Sequence, residues 1–173
     1  MKGETIYFYT ATVLNWEQIL QEKERKEIIL NSLRYLVEEK AAKVYAYVIM
    51  PNHLHLLWNP LKNKKYQNLQ LSFMRFTAQK LLFQLKDSGY THMDNFWVEK
   101  KDRNYQICQR NPLAIEMYSR KVIEQKLDYI HNNSVQGKWM LANSPIDYEY
   151  SSARFYESEN LTHSFLSHYM DDI

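Results

Sequence analysis

The sequence predicts an α+β fold: a ferredoxin-like antiparallel sheet with helices on one face, plus an extra C-terminal helix that carries Tyr129. Three observations lead there. Stretches rich in β-branched and aromatic residues alternate with stretches of helical period. The order reads strand, helix, strand, strand, helix, strand, helix, which two helices on one face of an antiparallel sheet satisfy. The middle pair of strands is separated by only a Pro–Asn turn, so these two form a hairpin.

Each element has its own signal. "TIYFYTATV" (Thr5–Val13) reads as the first strand. "NWEQ" follows, with Asn15 placed to cap a helix and Gln18 three residues on to return the bond. That helix is expected to reach about Lys40 and to bury Ile19, Ile29, Leu33, Leu36 and Val37. "AKVYAYVIM" is the second strand and "HLHLLW" the third, turned by Pro51 and Asn52. The second helix is expected over Asn68–Lys86, with Leu69, Phe73, Phe76 and the Leu81–Leu82–Phe83 cluster at roughly helical spacing. "DSGYTHMDNFWVEK" reads as a connecting loop, "RNYQICQR" as a short strand, and "NPLAIEM" as the start of the next helical stretch. Tyr118–Asn133 is the last long helix, with Val122, Ile123, Leu127 and Ile130 inward. The remaining tail reads as irregular with short helical parts.

Composition bounds the function classes. A chain of 173 residues is expected to form one domain over 1–173, and 45% hydrophobic with 24% charged residues is ordinary for a globular protein. The N-terminal stretch has no apolar core of the kind a secretory leader needs, and no apolar run is long enough to span a bilayer, so the expected location is the cytoplasm. One cysteine, Cys108, excludes an intramolecular disulfide and a Cys-rich zinc module; within "QICQ" it reads as a small buried hydrophobe. The net charge of +2 neither demands nor opposes a nucleic-acid partner. Two basic clusters, Lys62, Lys64 and Lys65, then Lys100, Lys101 and Arg103, lie beside Tyr66 and Tyr105. Such groups can hold phosphates while the rings stack on bases, or form an ordinary solvated surface.

"YVIMPNHLHLLWNP" carries the chemistry. Residues two apart in a strand share a face, so His53 and His55 project together while Leu54 and Leu56 point to the core. Neutral imidazoles bind divalent metals, but two ligands alone make a weak site. The alternative is a pair of half-exposed polar residues on the outer sheet face. "KLDYIHNNSV" supplies candidate partners: Tyr129 and Asn133 are i and i+4, one turn apart on one helix face. A phenol beside a metal that polarises a phosphate can attack phosphorus. Equally, Tyr129 is one of 14 tyrosines that could pack a helix on a sheet. His131, two residues on, points to another side of the helix and reads as peripheral, and Asp128 as a capping or surface residue.

Taken together, "VIMPNHLHLLW" and, about 75 residues later, "LDYIHNNSV" resemble the REP-associated tyrosine transposases, single-tyrosine members of the HUH endonuclease superfamily. "LSFMRFTAQ", "RNYQICQRN" and the C-terminal "YEYSS" (Tyr148–Ser152) extend the resemblance over nearly the whole chain. The resemblance implies that His53 and His55 are metal ligands, that Asn133 completes the site, and that Tyr129 is the nucleophile. Ser134 stands where that family usually has proline, so the helix is expected to end differently here. It further implies a divalent cofactor, Mg²⁺ or Mn²⁺, and cleavage of single-stranded DNA next to imperfect palindromic hairpins through a 5′-phosphotyrosine link. Lys62, Lys64, Lys65, Lys100, Lys101 and Arg103 are the corresponding candidate phosphate contacts. A homodimer that exchanges the tyrosine helix and a monomer are both compatible with the sequence. The alternative function is a hairpin-DNA-binding protein that has lost cleavage.

Overall fold

Strand β1 (Tyr7–Thr12) occupies the middle of a four-stranded antiparallel sheet and positions everything that follows. The computed structural model describes residues 5–61, 65–157 and 165–173. The sheet order is β2 (Ala42–Ile49), β3 (His53–Pro60), β1, β6 (Leu113–Glu116), the ferredoxin-like order the sequence predicts. Helices α1 (Lys23–Glu38) and α2 (Tyr66–Asp87) cover one face. There Tyr9, Leu54, Leu56 and Trp58 from the strands pack on Ile29, Leu33, Leu69, Phe73 and Leu81 from the helices. Trp58 is fully buried, with its ring 5.2 Å from that of Tyr9 and 5.5 Å from that of Phe73.

Helix α3 (Arg120–Asn132) lies on the opposite face. Ile123, Leu127 and Ile130 pack there on Phe8, Val48 and Leu57, so the "outer" sheet face is itself a second core. This follows from strand geometry, since Phe8 and Leu57 are paired residues whose neighbours on the same face are Thr10 with His55 and Thr12 with His53. Ser119 caps α3: its extended backbone lets the hydroxyl accept a bond from the Val122 N–H at 3.4 Å. Ser119→Ala is expected to cost about 0.5–1 kcal/mol in urea unfolding; an unchanged midpoint would show that the long bond contributes nothing.

Four sequence expectations need correction. The first helix begins at Lys23, not after Asn15, and no capping box forms. Asn15 and Trp16 both have positive φ (54° and 59°), and Asn15 Nδ2 donates instead to the Asn95 carbonyl at 2.8 Å. "NPLAIEM" contributes strand β6 rather than helix, because the free edge of β1 offers its hydrogen bonds to any extended segment there. "RNYQICQR" does not join the main sheet as a strand: β4 (Trp97–Lys100) and β5 (Arg103–Tyr105) make a separate two-stranded ribbon, and Cys108 forms a lone bridge to Val13. In α2 the buried stripe is Leu69, Phe73, Thr77, Leu81 and Leu85, which leaves Phe76 and Phe83 exposed.

The C-terminal segment closes the β2 edge. Leu166 bridges Val44, Ser151 bridges Val48, and Lys43 and Tyr45 both bond the Asp172 carboxylate. The final short helix α4 (Ala153–Glu157) is positioned by Ser152, whose hydroxyl accepts from the Tyr47 N–H at 3.0 Å and donates to the Tyr47 carbonyl at 3.2 Å.

Candidate active site

His53 and His55 point toward α3 and are buried beneath it, not half-exposed on an outer face. Their rings lie 4.8 Å apart between centroids. Asn52, the second residue of the turn, fixes the His53 tautomer. Its Nδ2 donates to the Trp16 carbonyl at 3.1 Å, so its Oδ1 faces His53 Nδ1 at 2.7 Å as an acceptor, and Nδ1 carries the proton. His53 Nε2 is therefore a lone pair. It faces the side-chain amide of Asn133, with Oδ1 at 3.2 Å. Burial lowers the His53 pKa, with Asn133 opposing the shift, so the imidazole stays neutral at neutral pH.

His55 Nδ1 meets Thr10 Oγ1 at 2.7 Å, while its Nε2 is buried without a hydrogen-bond partner among the described residues. Burial above all, then the neighbouring His53 and Lys126, depresses its pKa to about 3. An orphaned buried nitrogen costs about 1–3 kcal/mol unless something binds it. With the His55 proton on Nδ1, donated to Thr10 Oγ1, two imidazole nitrogens and one amide oxygen form a donor set that fits a divalent cation. Among the described residues no cluster of three His, Cys, Asp or Glu side chains exists, so this mixed His–His–Asn set is the candidate.

Tyr129 stands over the pair in the same chain. Its ring centroid is 5.1 Å from that of His55 and 6.0 Å from that of Phe8, and 46% of the residue is exposed. The half-exposure separates it from the buried core residues of α3. Lys126, one turn earlier, places its ammonium 5.3 Å from the Tyr129 ring and 4.5 Å from the Phe8 ring. These residues line an open groove of about 690 Å³ with Thr10, Trp16, Asn133 and Trp139. Asn133 keeps its place despite Ser134: α3 ends at Asn132 and tightens into a 3₁₀ turn over Asn133–Val135, with Ser134 fully buried.

The basic clusters fare differently. Lys62 and Lys64 lie outside the described residues. Lys65 sits just before α2; on the β4–β5 ribbon Lys100 is half-buried while Lys101 and Arg103 are exposed; none of these four lines the groove. Tyr66 is not a free stacking face, because its ring packs on Tyr7 at 4.0 Å. Among the described residues the cation lining the groove is Lys126, which the sequence reading does not single out although its i−3 spacing from Tyr129 on a helix marks it. Trp16 was also missed.

His131 does point away from the groove, as its helical angle predicts, but it is not a surface residue. It is buried against Ser152, with Nε2 2.9 Å from the hydroxyl, so Ser152 ties α3 to β2. That junction gives the "YEYSS" element a structural role. Burial lowers the His131 pKa to about 4. A base whose folded pKa lies below its unfolded value near 6.5 costs stability once the unfolded chain protonates, so stability is full above about pH 6.5 and falls as pH drops toward 4. Between pH 7 and pH 5 the wild type is expected to lose about 2 kcal/mol more than His131→Gln; parallel pH profiles would contradict this.

The chain is thus a ferredoxin-like sheet with two strand histidines and a tyrosine-bearing helix laid across them. Solved transposase structures share that fold. One, a REP-associated tyrosine transposase bound to a REP hairpin, matches with a TM-score of 0.63 over 95% of this chain and 84% of its own, at 15% identity. A candidate transposase from Deinococcus radiodurans R1 matches with a TM-score of 0.51 over 75% of this chain and 90% of its own, at 16% identity. Neither a scan against protein-family models nor a search of curated proteins returns a match.

Proposed function

We propose that this protein is a metal-dependent single-stranded DNA endonuclease and strand transferase of the transposase type, acting beside hairpin-forming palindromes with Tyr129 as nucleophile. One observation carries the reading: His53 Nε2 and Asn133 Oδ1 lie 3.2 Å apart beside the buried, partnerless His55 Nε2, next to a half-exposed phenol. When bound by those three atoms, Mg²⁺ or Mn²⁺ would neutralise charge on a non-bridging oxygen of the scissile phosphate. The fold shared with a hairpin-bound transposase supports the same substrate class.

The chain's own residues account for the rest. Tyr129 Oη attacks phosphorus; the Oη–P bond forms as the P–O3′ bond breaks. The phenolic proton leaves to solvent and the departing 3′ oxygen takes up one, which yields a free 3′-hydroxyl and a 5′-phosphotyrosine. Attack of another 3′-hydroxyl reverses the step and joins strands, so no nucleotide cofactor is consumed. Lys126 adds positive charge where the phosphate must lie and favours neutral His55. Asn52 holds the His53 tautomer so that Nε2, not Nδ1, faces the groove. Lys65, Lys100, Lys101 and Arg103, with Lys62 and Lys64, remain proposed contacts to the flanking duplex.

The test is direct. The protein, mixed with hairpin oligonucleotides bearing single-stranded flanks and Mn²⁺, is expected to form an adduct that survives denaturation. Absence of any adduct, on either strand polarity and with every flank tried, would remove cleavage from the reading and leave a hairpin-binding protein. No described helix is long and apolar enough to cross a membrane.

A further inference from the structure

Trp16 is the part of the groove that the cleavage chemistry leaves unused. Its side chain is 59% exposed, and no ring among the described residues is recorded packing on it. A single exposed indole is unremarkable by itself. Its backbone is not. Asn15 and Trp16 are consecutive non-glycine residues with φ of 54° and 59°, a left-handed conformation that asparagine adopts readily but that costs tryptophan about 1–2 kcal/mol.

That cost is met by tertiary hydrogen bonds that hold the turn from all sides. The Val13 N–H donates to the Asn52 carbonyl at 2.9 Å, the Leu14 N–H to the Ile107 carbonyl at 2.8 Å, and the Trp16 N–H to the Val13 carbonyl at 3.1 Å. Asn15 Nδ2 reaches the Asn95 carbonyl, and Asn52 Nδ2 reaches the carbonyl of Trp16 itself. Asn52 is also the residue that accepts the His53 Nδ1 proton. One amide therefore ties the strained turn that presents the indole to the imidazole at the centre of the site. Strain held by such over-determined bonding tends to mark functional positions.

Trp16 also stands on the ridge between two grooves. On one side lies a groove of about 370 Å³ lined by Glu17, Arg25 and Tyr90. On the other lie His53, His55, Lys126 and Tyr129, with Trp139, whose ring is 5.9 Å from that of His53. The Lys126 ammonium and the Lys138 ammonium, the latter 4.9 Å from the Trp139 ring, give the second side a cationic character suited to a phosphate backbone. An exposed indole beside cations matches the way single strands are held: charge follows the backbone while aromatic faces take the bases.

We propose that Trp16 is a stacking platform for one unpaired base of the DNA strand whose phosphate is presented to Tyr129. The proposal rests on the cleavage reading above and adds to it a specific contact that sets which nucleotide lies at the centre. Tyr129→Phe protein, which cannot react, serves as the parent in the test. The probes are fluorescein-labelled DNA hairpins with a single-stranded flank, intact or with one abasic site at successive flank positions. Adding Trp16→Ala is expected to weaken binding of the intact probe about 5- to 150-fold, the range for one lost base–aromatic stack. Trp16→Phe retains most of the affinity. One abasic position costs the parent a similar factor and costs the Trp16→Ala protein nothing further. Affinity within twofold of the parent for Trp16→Ala, or abasic penalties that persist at every position without the indole, would overturn the platform while leaving the cleavage reading intact. Failure of the parent itself to bind any hairpin probe would overturn both. Thermal unfolding of Trp16→Ala close to that of the parent excludes a folding defect as the cause.

Discussion

Tyr129→Phe is expected to abolish covalent adduct formation, with strand cleavage reduced by at least the order of 10³. The variant loses one oxygen atom from a half-exposed position, so neither the α3 core of Ile123, Leu127 and Ile130 nor the ring contacts to Phe8 and His55 change. Hairpin binding is expected to persist at wild-type strength. That combination, binding kept and chemistry gone, separates a nucleophile from a residue that shapes the groove. Denaturing electrophoresis of labelled oligonucleotide reads it directly. Wild-type levels of adduct in the phenylalanine variant would place the nucleophile elsewhere.

The second large effect is at His55. Leucine fits the apolar surroundings of Phe8 and removes the buried Nε2 that has no partner, a gain of about 1–3 kcal/mol. Against this, the Thr10 hydroxyl loses its bond to Nδ1. His55→Leu is therefore expected to melt no lower than wild type at pH 7 in metal-free buffer. It is also expected to lose Mn²⁺ binding by calorimetry and with it adduct formation. A residue whose removal leaves stability unchanged or improved while ending activity is one the fold tolerates for the sake of function. If His55→Leu instead unfolded at room temperature while Mn²⁺ bound wild type no better than background, the imidazole would be structural and the donor set would lose a member.

Much of this was legible in the sequence because period-2 and helical patterns there report real burial. The His53–His55 pair shares a face for the same reason that Leu54 and Leu56 share the other. The i, i+4 relation of Tyr129 and Asn133 survives even though Asn133 falls one residue beyond α3. What failed were positions decided by distant partners. Asn15 has the chemistry of a helix cap, but hydrogen bonds donated to the Ile107, Asn52 and Asn95 carbonyls hold that turn in another conformation. Leu113–Glu116 carries no alternation because all four residues are exposed, and only the open edge of β1 makes them a strand. His131 reads as peripheral from its helical angle, yet Ser152, 21 residues on, buries it. The second core under α3 was hidden for a related reason: one strand can alternate cleanly and still be covered on both faces.

The two margins of the sheet are unequal. Along β2, the segments around Ser151 and Leu166 take up backbone positions, and Asp172 fastens the chain end across Lys43 and Tyr45. Along β6, four residues pair inward with β1 and are open on their other side among the described residues, with Leu113 already bordering the groove. The sheet is thus blunted at one rim and extensible at the other. Among the described residues the open edge is that of β6, so a fifth strand added there would arrive beside the groove rather than at a remove from it.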